Sequence, residues 1–196
     1  MINVVMFGPP GAGKGTQAKL LSEKFGFVYV ATGDMFRNHI KNETPLGKLA
    51  QFYIDKGDLV PDEVTVNMIK EEITKNPEAS GIIFDGFPRT IVQAEVLDEL
   101  LKDNNQKIDA VFALEVPEEV LIQRILNRGK TSGRKDDTDP RTIKRRLEKY
   151  HTATEPLKKY YDEKQVLHSI DGLQSIDEIH RLISEIIEHI QNGDGR

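Results

Sequence analysis

The residues best equipped for chemistry stand near the start of the chain, between Gly8 and Thr16. Gly8, Gly11, Gly13 and Gly15 are interleaved with Pro9, Pro10, Ala12 and Lys14. Glycines let successive backbone N–H groups converge on an anion because no Cβ blocks the approach. Lys14 adds a full positive charge, and a helix beginning just behind it adds a partial one. Gly8, Gly13 and Lys14 meet the spacing G-x-x-x-x-G-K of a phosphate cradle. The generic motif then places Ser or Thr directly after the lysine, whereas here Gly15 precedes Thr16. The phosphate role of Lys14 therefore rests more firmly on the motif than a metal role for Thr16.

A second group lies farther on. Asp85 closes an apolar run, Gly81 to Phe84, and an acid there suits magnesium held near phosphates, through water if not directly. Phe87-Pro88 in the following turn allows a cis bond and aims Arg89, whose fork of donors suits a phosphate. A third group, residues 124–149, holds ten Lys/Arg against four Asp/Glu. Arg124 and Arg128 lie one helical turn apart, and their helical neighbours Val120, Leu121, Ile125 and Asn127 offer neither an acidic partner. Arg146 likewise faces only Thr142, Ile143, Lys149 and Tyr150, while Lys144 and Arg145 both reach Glu148. Arg134 sits in a turn rich in glycine and polar residues. Together these cations invite an external polyanion. The five histidines are scattered and no nucleophile–base pair stands out. Phosphoryl transfer needs neither, because it rests on positioning and charge neutralisation.

Strands alternating with helices must position these groups. Strands are expected at 2–7, 27–30, 81–85, 110–114 and 166–170, and helices at 17–25, 33–41, 45–56, 62–75, 90–102, 117 onward, 142–151, 154–164 and 175 onward. Pro117 reads as the first residue of its helix, and Ser175 with Glu178 as a capping box. The pattern predicts an α/β fold with a five-stranded parallel sheet between helical layers. Ligands of such sheets bind beyond the carboxyl ends of the strands, so Gly8–Thr16 and Asp85 share one rim. Residues 192–196 read as a frayed end.

Composition narrows the rest. At 196 residues the chain can bury one substantial core. A net charge of −5 argues against general nucleic-acid binding. No stretch has the length of a membrane helix, and the first apolar run is too short for a signal peptide. With no cysteine, disulfides and thiolate metal sites are impossible, and a cytoplasmic setting is expected.

Taken together, residues 8–16, Thr32 to Arg37, Gly57 to Pro61, Asp85 to Arg89, Gln93, Arg124 with Arg128, Gly133 to Asp137, and Arg146 resemble the nucleoside monophosphate kinases. The resemblance is closest to adenylate kinases of the short-lid form and spans nearly the whole chain. It implies a P-loop NTPase fold with a CORE (1–30, 61–127 and 139–196), an AMP-binding insertion at 31–60 and a short LID at 128–138. It implies that Gly11, Ala12, Gly13, Lys14, Gly15, Thr16, Arg124, Arg128 and Gln174 contact ATP. Thr32, Arg37, Asp58, Leu59, Val60, Gly86, Phe87, Pro88, Arg89 and Gln93 would hold AMP, with Arg134 and Arg146 bridging to the transferring phosphate. Lys14, Asp85, Arg89, Arg124, Arg128, Arg134 and Arg146 would form the catalytic set. The substrates implied are ATP, AMP and ADP, with Mg²⁺ accompanying ATP, no zinc, no nucleic acid or membrane partner, and a monomer. Residues 137–141 run one residue longer than the commonest short form, which leaves Arg145 or Arg146 for the last arginine; the acid-free surroundings of Arg146 decide for it. Two rivals remain open, a UMP/CMP kinase and a nucleotide-binding regulatory ATPase. Thr32 resembles the adenylate kinase pattern, and no Asn-Lys-x-Asp guanine motif occurs.

Overall fold

A computed structural model describes residues 1–193. Five strands, β1 (Ile2–Phe7), β2 (Val28–Ala31), β3 (Gly81–Asp85), β4 (Ala110–Glu115) and β5 (Leu167–Asp171), form one sheet in the order β2-β3-β1-β4-β5. Every pairing is parallel, with Val4 opposite Ile83 on one side and Ala110 on the other. Alternate residues of β1 serve opposite layers, as the two-residue strand repeat requires. Val4 and Met6 pack with α1 (Lys14–Phe25), α6 (Glu118–Ser132), α7 (Pro140–Lys149) and α9 (Ile176–Gln191). Val5 and Phe7 pack with α4 (Asp62–Lys75), α5 (Ile91–Lys102) and α8 (Leu157–Glu163). Fully buried side chains such as Leu97 and Ile83 hold these layers, and trimming one to alanine costs about 2–5 kcal/mol.

Between β2 and α4, α2 (Thr32–Lys41) and α3 (Pro45–Ile54) stand as a pair with a small core of Phe36, Ala50, Val60 and Met68. They touch so closely at Gly47 that a Cβ there would lie 2.1 Å from the carbonyl oxygen of His39.

Several boundaries differ from expectation. Pro117 is the residue before α6, not its first. The same helix runs through Gly129 to Ser132, so only Gly133, at φ 66°, makes a turn. Gly129 is helical, and its lack of a side chain lets the following segment lie against it: a Cβ there would come 2.7 Å from the Asp137 carbonyl oxygen. The helix after Asp139 starts early, at Pro140, because the Asp139 carboxylate accepts from the N–H groups of Arg141 and Thr142. It then widens into a π turn, Tyr150–Thr154, before α8. Ser175 caps α9 by accepting from Glu178 N–H, but the Glu178 carboxylate turns outward to Arg181, so only half the expected capping box forms. Asn192 and Gly193 close α9 with bonds to Glu188 and Ile190; the rest of the expected frayed end, 194–196, lies outside the described residues.

Candidate active site

The glycine loop joins β1 to α1 at the carboxyl edge of the sheet. Gly13 precedes α1 at φ 101°, a left-handed conformation costly for any residue with a Cβ. No side chain caps that helix end and, among the described residues, no backbone oxygen accepts from Lys14 or Gly15, so those two N–H groups are left for an anion. Lys14 Nζ donates to the carbonyls of Gly8 and Pro9 at 2.8 and 2.9 Å. Burial lowers its pKa to about 8; Asp85 opposes that shift, and Arg89, Arg128 and Arg146 reinforce it. A lysine so strained by its neighbours is a strong taker of negative charge.

Asp85 ends β3 beside this loop. Its Oδ2 accepts from the Tyr29 hydroxyl at 2.9 Å, and burial followed by the charge of Asp85 pushes the Tyr29 phenol well above its ordinary pKa. Thr16, one residue beyond Gly15, is exposed at the mouth of the loop.

The turn after β3 aims Arg89. The Phe87–Pro88 peptide is cis. Arg89 N–H donates to Gln93 Oε1 at 2.7 Å and its Nε to the Gly86 carbonyl at 2.8 Å. Gln93 is anchored in turn by Asp62 at 2.7 Å, and Thr32 Oγ1 donates to Gly86 at 2.8 Å. Phe87 does not reach the cleft: the residue is 1% exposed and packs in the core.

The arginines are not free, as their helices alone imply. Arg128 grips Asp137 with two bonds, at 2.6 and 2.9 Å, and Arg146 binds the same carboxylate at 2.6 Å and Asp136 at 2.9 Å. Burial disfavours the charge on Arg128, but the Asp137 pairing outweighs it and raises the pKa. For Asp137 burial acts upward, and the two guanidinium groups prevail, holding the carboxyl below its usual range. Arg37 and Arg134 share Asp34 Oδ1 at 2.6 and 3.2 Å. Arg145 does not use Glu148; it pairs with Asp58 at 2.6 Å, because α7 lies against the loop that follows α3, and Lys149 joins at 3.7 Å. Arg124 donates to the Gly172 carbonyl at 3.0 Å, and Gln17 Nε2 to that of Ile176 at 2.9 Å.

These groups line one cleft of about 650 Å³. Its walls carry Gly11 to Thr16, Thr32, Arg37, Asp58 to Val60, Asp85, Gly86, Pro88, Arg89, Gln93, Arg124, Arg128, Arg134, Arg146 and Gln174. Of the residues expected from sequence only Phe87 is missing from that wall, and Arg145 lies outside it. Sequence reasoning missed Tyr29, Gln17 and the acids Asp34 and Asp136, which line the same cleft, and Asp137 behind it. Only Asp34, three residues before Arg37, left a local signal.

A cleft of this kind binds polyphosphates, and comparison with known proteins agrees. The family model described as "Adenylate kinase" matches residues 6–166. An adenylate kinase of Flavobacterium psychrophilum is 50% identical over 97% of this chain and 100% of its own length. One of Flavobacterium johnsoniae is 45% identical over the same shares, and one of Porphyromonas gingivalis 47% identical over 96% of each chain. With a fold, a phosphate loop and an arginine-lined cleft in agreement with matches of that extent, the chain belongs to the adenylate kinase family.

Proposed function

We propose that this protein transfers the terminal phosphoryl group of Mg-ATP to AMP, reversibly, giving two ADP. One observation carries the reading: Lys14 with its loop and six arginines from five separate segments face a single cleft. No single polyphosphate needs so many cations, whereas two meeting head to head do.

In this reading Lys14 gives up the Gly8 and Pro9 carbonyls for ATP phosphate oxygens. The N–H groups of Gly11, Gly13, Lys14 and Gly15, which have no acceptor in the loop, hold the same phosphates, and Arg124, Arg128 and Gln174 hold the rest of ATP. Arg37 and Arg89 fix the AMP phosphate. Thr32, Asp58 to Val60, Gly86, Pro88 and Gln93 surround its nucleoside. Arg134 and Arg146 neutralise charge on the group in flight. Asp34, Asp136 and Asp137 hold the guanidiniums in place until phosphate arrives, so binding exchanges one anion for another. The acceptor is an ionised phosphate oxygen, so no protein base is required. Asp85 and Thr16 supply the hard oxygen donors that Mg²⁺ prefers. When bound, that ion would supply positive charge against the phosphates near Asp85 and Thr16. Among the described residues no cluster of three or more ligating side chains forms, so the metal would draw most of its ligands from nucleotide and water.

The segment 31–60 serves as the AMP-binding insertion, 128–138 as the LID, and the rest as the CORE. Closure of LID on insertion excludes water that would otherwise accept the phosphoryl group. The enzyme works as a cytoplasmic monomer without zinc. No helix among the described residues is long and apolar enough to cross a membrane.

Coupled assay of ADP formation from ATP with AMP, CMP or UMP tests the assignment, and AMP is the expected acceptor. Comparable turnover with UMP or CMP would make this a pyrimidine kinase; ADP release without acceptor would make it an ATPase. Arg89→Ala is expected to weaken AMP binding by about tenfold or more while leaving ATP nearly unchanged, the loss of a charged hydrogen-bond donor to one phosphate. Equal losses for both nucleotides contradict the role given to Arg89.

A further inference from the structure

Tyr29 belongs to no phosphate motif, yet it lines the cleft and its hydroxyl meets Asp85. It stands on the edge strand β2 two residues before Ala31, whose register partner in β3 is Asp85. Residues two apart share a sheet face, so the phenol extends along the same face as the carboxylate. It donates to Asp85 Oδ2 at 2.9 Å. Among the described residues no other side chain donates to that carboxylate and no cation pairs with it. Oδ1 is therefore left as an acceptor.

Gly15 abuts the same pair. A Cβ added there would lie 3.3 Å from both Asp85 Oδ2 and the Tyr29 hydroxyl. Such contacts are tighter than ordinary van der Waals separation, so a serine or threonine at position 15 would push the pair apart. The glycine that interrupts the generic phosphate motif is thus matched to a tyrosine on another strand.

We infer that Tyr29 is a positioning residue for the metal: it pins Asp85 by one oxygen and presents the other to the water around a nucleotide-bound divalent cation. This rests on the reading of Asp85 as the metal-facing acid. Partners one step removed from a metal fix the orientation of the group that meets it, and their loss weakens the metal rather than the ligand at large.

The test uses the full chain and an ATP analogue with a methylene bridge between its β- and γ-phosphates. Its dissociation constant is measured by calorimetry with excess Mg²⁺ and again with chelator. The ratio of the two is the metal's contribution. Tyr29→Phe removes one oxygen and keeps the ring. It is expected to cut that ratio about tenfold while metal-free affinity stays within about twofold. Asp85→Asn should cut the ratio at least as far, and adding Tyr29→Phe to it should cost nothing more, since coupled groups are not additive. The electron paramagnetic resonance spectrum of Mn²⁺ bound with ADP should differ between wild type and Tyr29→Phe. If Asp85→Asn lowers the ratio and Tyr29→Phe does not, the inference about Tyr29 falls and Asp85 keeps its role. If Asp85→Asn leaves the ratio intact, the role of Asp85 itself falls. Equal weakening with and without metal would make Tyr29 a wall of the nucleotide site and nothing more.

Discussion

Replacing Asp137 with asparagine should destabilise the ligand-free protein and do so in a pH-dependent way. The Asp137 side chain has no exposed surface and accepts three bonds from two guanidiniums. Asparagine is almost the same size, but it offers one accepting oxygen and turns an N–H₂ donor toward a donor. Breaking a fully buried charged pair costs about 3–5 kcal/mol. Here the partners still touch water, with 35% of the Arg128 side chain and 19% of Arg146 exposed. That screening brings the expected cost down to about 2–3 kcal/mol. At roughly 2–4 °C per kcal/mol for a chain of this length, the melting temperature should fall by about 5–10 °C at neutral pH. The sign with pH follows from linkage. The folded carboxyl titrates below its ordinary range, whereas the unfolded one titrates near 3.9. Its stabilisation is thus complete above the unfolded value and drains away as pH falls through the folded one. The variant has no such group to lose, so the gap between the two proteins should narrow below about pH 4. Melts followed by circular dichroism from neutral pH to pH 3 would measure it. A drop under about 2 °C at neutral pH, or a gap that stays constant on acidification, would refute the view that Asp137 holds the arginines.

Other expectations concern charge in the cleft. Lys14, with its pKa lowered to about 8, is partly neutral near that pH in the free protein, and arriving phosphates should restore its proton. ATP binding near pH 8 should therefore take up protons, read by calorimetry in buffers of different ionisation enthalpy, and should take up none near pH 6. Lys14→Met should abolish the uptake and cut turnover at least about a hundredfold; near-normal turnover in the folded variant would contradict the phosphate-cradle argument. Arg146→Ala should lose turnover, whereas Arg145→Ala, outside the cleft, should change kcat by less than about threefold, because it removes only a half-exposed pair with Asp58. Similar losses in both would overturn the choice of Arg146.

What the sequence made legible, and what it hid, follows from distance along the chain. The strand pattern, the phosphate loop and the Asp85–Arg89 turn each sit within a few residues, where periodicity and backbone chemistry are read directly. The partners of the arginines do not. Asp137 lies nine residues from both Arg128 and Arg146, and a search of helical neighbours finds neither. The left-handed turn at Gly133 and the Asp139 cap fold one helix end back on the next, so one carboxylate serves both. The block of cations that reads as unpaired is therefore a set of cations parked on the protein's own acids. In the function proposed above that difference changes the physics of binding: a phosphate would not enter an empty field of charge but would compete with Asp34, Asp136 and Asp137 for guanidiniums already aimed. Gly15 makes the same point from the other side. Within the loop it looks like a departure from the motif, and only the β2–β3 register, which brings Tyr29 and Asp85 against it, gives the missing side chain a reason.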